Sequence, residues 1–184
     1  GDWQGDDPNI RYSRGGCPYY LPVGHKSVGI RVNNFIEKSC VAFHGTTAKK
    51  AKLILNSKFK KPSETGGVRE GHIKLGEKCY NIKNFADAVF VSPSIKYASI
   101  YGLKEVKAVG SDGKKYVQSG NIENRLLRIL ILQVRVIPDS FTINENTTEL
   151  IINDPHYPED QMEWRIADPS NLFPYRLLFK HIEF

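Results

Sequence analysis

The sequence predicts an α+β domain built on antiparallel strands. Three observations carry that prediction. Helical periodicity is confined to one or two short stretches before residue 103, short apolar and β-branched runs dominate the rest of the chain, and turn signals of the hairpin kind lie between them. No internal repeat, coiled-coil heptad or dividing linker interrupts the chain, so residues 17–184 read as one domain. Residues 1–16 hold Gly1, Gly5, Pro8, Gly15 and Gly16 among Asp and Asn, with little to bury, and read as a flexible N-terminal segment.

Taken in order, Leu21 to Gly29 is a loop punctuated by Pro22 and Gly24, and Ser27 to Val32 alternates weakly as a strand. Cys40 to Phe43 is a short buried strand that ends on His44-Gly45-Thr46. Thr47 then caps a helix of about ten residues, with Ala48, Ala51, Ile54 and Leu55 on one face. Lys58 to Tyr80 is polar and broken by Pro62, Gly66, Gly67, Gly71 and Gly76. It is either a lid or binding loop, or a surface excursion with a short helix.

Ala88 to Val91 is a strand stopped by Ser92-Pro93, and Ser94 to Tyr101 is a helix capped by Ser92 or Ser94 and stopped by Gly102. Gly110-Ser111-Asp112-Gly113 predicts a hairpin between Val106–Val109 and Lys115–Gln118. Leu126 to Ile137, β-branched and halted by Pro138, predicts a strand through the core. Phe141 to Ile143, Glu149 to Ile152, Glu163 to Ile166 and Tyr175 to Ile182 are further strands, with a polar turn over Asp154 to Gln161.

Composition narrows the function classes. The chain has 184 residues, 40% of them hydrophobic, and 26 Lys and Arg against 20 Asp and Glu give a formal charge of +6. That excess suits polyanions, an anionic cofactor or simple solubility. No run of eighteen apolar residues spans a bilayer and no leader pattern opens the chain, so no membrane partner is expected. The absent initiator Met marks a fragment or trimmed product. Cys17, Cys40 and Cys79 are odd in number and without paired spacing, so they read as unpaired thiols, which gives a cytoplasmic or nuclear address. Phosphate-loop, zinc-protease, nucleophile-elbow and calcium-loop patterns are all missing. Asp154-Pro155-His156-Tyr157-Pro158-Glu159-Asp160 reads as a turn, so no metal is expected.

Three places could do chemistry on their own terms. His44 at a strand end is either a hydrogen-bonded structural residue or a ligand contact, with Gly45 allowing close backbone approach and Thr46 offering a hydroxyl. Glu163 opens a strand beside Met162 and Trp164, where alternation sends Glu163 and Arg165 to one face. A carboxylate there is either salt-bridged or kept for a positively charged transition state. Tyr97 and Tyr101, four apart on a helix, are either core or a wall on which a flat ring can stack.

In this order, three fragments resemble the ADP-ribosyltransferase superfamily, on the branch of poly- and mono(ADP-ribose) polymerases and diphtheria-type toxins. Val41-Ala42-Phe43-His44-Gly45-Thr46 resembles its histidine strand, Val89-Phe90-Val91-Ser92-Pro93 through Tyr97 and Tyr101 its tyrosine element, and Gln161-Met162-Glu163-Trp164-Arg165-Ile166-Ala167-Asp168-Pro169-Ser170 with Tyr175 to Phe179 its glutamate and terminal strands. Tyr19-Tyr20-Leu21-Pro22-Val23-Gly24 and Gly29-Ile30-Arg31-Val32 are similar to a subgroup of Neuralized-related and fungal proteins.

The resemblance implies two antiparallel or mixed sheets forming an NAD cleft with short flanking helices. It also implies an NAD-dependent ADP-ribosyltransferase, a glycosyltransferase that releases nicotinamide; the compact size, without a helical regulatory domain or a long acceptor loop between Pro138 and Gln161, favours mono(ADP-ribosyl) transfer over chain building. Carried over, Glu163 and His44 are catalytic: the glutamate holds a ribose 2′-hydroxyl and stabilises oxocarbenium-like charge, and the histidine contacts a ribose hydroxyl. His44, Gly45, Thr46, Phe90, Ser92, Tyr97 and Tyr101 form the cofactor-binding set, with Gly45 holding the nicotinamide amide and Tyr97 or Tyr101 supplying the second ring. Phe90 stands where the family has a tyrosine; it can stack but cannot donate a hydroxyl hydrogen bond. The acceptor implied is a protein, with nucleic acid or ubiquitin as other classes. Two alternatives stand beside the enzyme: a catalytically silent fold that binds NAD or a protein, and a basic nucleic-acid-binding module.

Overall fold

The computed structural model describes residues 3, 5–31, 38–67, 70–105, 108–109, 115–116, 126–147 and 152–183. Its strands are β1 (Tyr12–Arg14), β2 (Cys17–Tyr19), β3 (Lys26–Gly29), β4 (Cys40–Gly45), β5 (Val89–Val91), β6 (Leu103–Glu105), β7 (Ala108–Val109), β8 (Lys115–Tyr116), β9 (Leu126–Val136), β10 (Thr142–Asn144), β11 (Glu163–Ile166) and β12 (Leu172–Glu183). Its helices are α1 (Ala48–Ser57), α2 (Pro62–Thr65), α3 (Glu70–Leu75) and α4 (Ile95–Gly102). Every strand pair described is antiparallel. The chain is therefore α+β, as the sequence predicts. The predicted strand at Glu149 to Ile152 lies largely outside the described residues, as does the turn of the 106–118 hairpin, whose arms β7 and β8 do pair.

One sheet runs in the order β3–β12–β9–β4, and β6 continues along the β9 edge beyond β4. A second, three-stranded sheet runs β10–β11–β5. An isolated bridge between Phe43 and Ser92 stitches β4 to the end of β5, so the two sheets meet there. Strand β9 is covered on both faces, which is why its sequence is a nearly unbroken apolar run rather than an alternation. Leu132, Val134 and Val136 pack with Val89, Val91, Trp164 and Ile166 of the second sheet. Ile129 and Ile131 face the other way, onto Val41, Phe43, Ala98 and Leu178. Full burial of each such side chain is worth about 1.5–3 kcal/mol, so this one strand anchors both layers.

Strand β12 shifts register between Pro174 and Arg176. Proline has no N–H for the ladder, and a bulge is where a sheet interior tolerates it. The extra residue changes parity: Leu172 faces the cluster shared with the second sheet, and after the bulge Leu177 does so while Leu178 turns to the opposite cluster.

The N-terminal segment and the cysteines depart from the sequence reading. The segment predicted to be loose carries β1, which pairs with β2 around Gly15 and Gly16, both at positive φ, as a tight two-residue hairpin turn requires. Tyr12 and Trp3 pack against the core cluster of Tyr19, Phe43 and Leu178. That hairpin brings Cys17 to Cys40, and the two form a disulfide across 23 residues, leaving only Cys79 among the cysteines unpaired. Closing a loop of that size contributes about 3 kcal/mol on chain-entropy grounds. The expected cytoplasmic or nuclear address rested on unpaired thiols and loses that support, because such pairs persist chiefly in oxidising compartments. Among the described residues, no helix is long and apolar enough to cross a membrane.

The helices follow their caps. Thr47 accepts from the Lys50 N–H and Ser94 from the Tyr97 N–H, as their positions predict. In α1 only Ala51 is buried, with Ile54 packed at the edge of the core. Leu55, expected inside, is exposed. The glycine-punctuated stretch from Lys58 to Tyr80 is not structureless: it holds α2, α3 and a π-helical turn over Gly76–Tyr80.

Candidate functional site

Strand β11 builds the site. Trp164 and Ile166 point into the apolar core, so alternation sends Glu163 and Arg165 to the opposite face, as the sequence predicts. Glu163 is only 1% exposed. A carboxylate buried to that degree must be held by donors, and it is. Asn144, directly opposite on β10, donates from Nδ2 to Oε1 at 2.9 Å. Tyr97 donates its hydroxyl to Oε2 at 2.8 Å. His72 Nε2 lies 3.4 Å from the same oxygen, a longer contact.

The position of α4 brings Tyr97 to that carboxylate. Gly45 on β4 lets the helix sit directly on the strand: a Cβ there would run into the Ala98 carbonyl. Gly102 plays the same part against the Leu130 carbonyl. The glycine expected to admit a ligand to the backbone is, on its Cβ side, filled by helix. Tyr97 is buried with Tyr157 and Met162, and its hydroxyl lies 3.0 Å from that of Tyr101. Burial first, and the negative charge of Glu163 second, push the Tyr97 hydroxyl well above the usual tyrosine range, so it remains a donor.

Phe90 shares this face. It pairs with Arg165 across β5 and β11, and its ring lies against the His72 imidazole, centroid to centroid 3.6 Å with 12° between planes. Phe85 packs beside it at 5.7 Å, and the Arg165 guanidinium sits 5.2 Å over the Phe85 ring while donating to the Phe85 carbonyl. His44 joins from the neighbouring sheet. Its Nδ1 donates to the Phe90 carbonyl at 3.0 Å, which fixes the ring at that nitrogen, and the Phe59 ring meets its edge at 5.2 Å.

Of the residues singled out by sequence, the structure joins Glu163, Tyr97 and Tyr101 in one hydrogen-bonded chain and links His44 to Phe90 through the backbone. Thr46 is buried, and its hydroxyl has no partner among the described residues. Ser92 is spent on the fold: its hydroxyl accepts from the Ser94 N–H, while its backbone pairs with Phe43. Two participants, His72 and Asn144, are not among the residues that the sequence singles out. Among the described residues no cluster of three or more His, Cys, Asp or Glu is placed to hold a metal ion.

The donor set can be tested against an NAD-like ligand. The unpaired Thr46 hydroxyl and a buried carboxylate that accepts from neutral donors both suit a ligand bearing hydroxyls and a carboxamide. The aromatic face of Phe90 suits a flat ring, but His72 covers it in this arrangement. No protein-family model matches the chain, and no curated protein matches it.

Proposed function

We propose that this protein is an NAD-dependent mono(ADP-ribosyl)transferase of the polymerase-like and diphtheria-toxin-like branch, acting on a protein acceptor. The observation that carries the reading is Glu163: a fully buried carboxylate with the neutral donors Tyr97 and Asn144 among its partners, where two antiparallel sheets meet and beside the strand that carries Phe90. Bound NAD would supply a ribose joined to nicotinamide by a glycosidic bond, whose cleavage builds positive charge at the sugar. Glu163 is a fixed negative charge that favours that state over the ground state, which is what catalysis requires. Tyr97 and Asn144 hold its two oxygens, so it does not reorganise as charge develops. Thr46 and His44 supply polar groups for ligand hydroxyls, and Phe90 supplies a stacking face.

Nicotinamide release and label transfer from isotopically labelled NAD, wild type beside Glu163→Gln, test this. Release that needs Glu163, with label on protein, supports the transferase; release that persists in Glu163→Gln overturns the assignment. A silent NAD-binding or partner-binding module is the second reading, favoured by the imidazole on the Phe90 face and by the missing phenolic hydroxyl at that position. Saturable NAD binding with no release selects it.

A further inference from the structure

Three observations converge on His72. Its ring occupies the face of Phe90 at stacking distance, which is the slot the functional reading gives to a flat ring of the ligand. Its Nε2 faces Oε2 of Glu163, the carboxylate that reading makes catalytic. It is also the only buried side chain of α3, whose Ile73 is exposed and whose Glu70–Lys74 pair, 2.8 Å apart, lies at the surface.

The segments on either side are fastened by other means. Before α3, Ser63 of α2 donates from its N–H to one oxygen of Asp87 at 2.8 Å and from its hydroxyl to the other at 2.9 Å. After it, Gly76 packs where a Cβ would strike the Phe85 ring, and Tyr80 stacks on the other side of that turn against Phe85, 5.0 Å between centroids. The Tyr80 hydroxyl accepts from the Asn146 N–H at 3.1 Å. Within α3, a helix of six residues lying in sequence between these two moorings, His72 is the one buried side chain.

We propose that His72 is an intramolecular plug: its imidazole stands in for the planar ring of the substrate, and α3 is a gate that must lift between its moorings before the site loads. This rests on the NAD reading of the site. Binding to a protein whose competent form is only partly populated is weakened by the open fraction, so removing the plug tightens binding without adding a contact to the ligand. Its loss leaves the strand pairing untouched, because His72 lies in α3 and in no strand.

The test is equilibrium binding of NAD, and separately of nicotinamide, to wild type, His72→Ala and His72→Trp, with amide hydrogen exchange followed over residues 70–80. His72→Ala should bind both about tenfold tighter or more. His72→Trp, with a larger ring on Phe90, should bind more weakly than wild type. NAD should speed exchange in α3 while the Asp87 mooring stays protected. Unchanged or weaker binding in His72→Ala, with wild type binding normally, overturns the plug and leaves the NAD reading standing. If binding holds while nicotinamide release falls, His72 is instead a working residue of the site. If all three proteins are folded and none binds NAD, the functional reading falls and the plug falls with it.

Discussion

Strand β11 opens on two neighbouring side chains that are equally hidden from water, on opposite faces and opposite in chemistry. Trp164 is 3% exposed and Glu163, one residue earlier, is 1% exposed. Trp164 meets Phe141 ring to ring at 4.2 Å and joins the apolar cluster of β9. Glu163 meets an amide, a phenol and an imidazole. Burial on the first face is repaid by area removed from water; on the second it is offset only by specific donors, each of which can be taken away singly. The apolar face therefore fixes where the strand lies, and the polar face uses that fixed position.

Substitutions on the two faces should separate stability from activity. The largest loss of stability falls on the apolar side: Trp164→Ala should cost about 3–5 kcal/mol in a denaturant titration, because the cavity cannot collapse between two sheets. On the polar side, Glu163→Gln should keep the midpoint near wild type. The Tyr97 hydroxyl can turn to accept from the new amide and donate to Tyr101, 3.0 Å away, which leaves the longer His72 contact as the one of these to readjust. Its effect should appear in nicotinamide release, reduced roughly 10²–10³-fold, the range for losing one preorganised electrostatic contact. If both variants merely unfold, the contrast between the faces is broken.

Asn144→Ala is the intermediate case. It removes one of the donors of a buried carboxylate and should destabilise by about 1–3 kcal/mol, with a loss of turnover smaller than that of Glu163→Gln. An effect on stability alone would show that Asn144 serves the fold rather than the orientation of Glu163. The smallest expected effect is alkaline. Tyr97 holds its proton above the usual tyrosine range in the folded state, whereas in the unfolded chain it ionises near pH 10, so its contribution is complete below about pH 10 and is lost as the pH rises beyond it. Tyr97→Phe should flatten that alkaline fall, measured as melting temperature against pH. The fall should not vanish, because burial also raises Tyr157, Tyr175 and Tyr19.

Glu163 is legible in the sequence because strand alternation is local: Trp164 and Ile166 announce the buried face, and the residues between them take the other. The α4 cap and the four-residue spacing of Tyr97 and Tyr101 are legible for the same reason. His72 is not. It sits in a polar stretch broken by glycines, where periodicity carries no signal, and only tertiary placement drives its ring onto Phe90. Asn144 is defined by its register against Glu163, nineteen positions further along the chain, which no local pattern encodes. Cys17 and Cys40 meet only because Gly15 and Gly16 fold β1 onto β2; the same glycines, counted as composition, suggest a loose segment. Gly45 shows the converse, a motif residue whose lack of a side chain is already required by the Ala98 carbonyl of α4.

The bulge in β12 also acts as a reading frame. Strand length alone does not determine which layer Leu178 enters; the count of residues from Leu172 does, modulo two. Removing one residue between Pro174 and Arg176 would give a strand that looks more regular yet exchanges inside for outside through to its end, pulling Leu178 from under Val41 and Phe43. Changing the Pro169–Asn171 turn just upstream leaves that count untouched. Length variation should therefore be accepted in that turn and refused a few residues later.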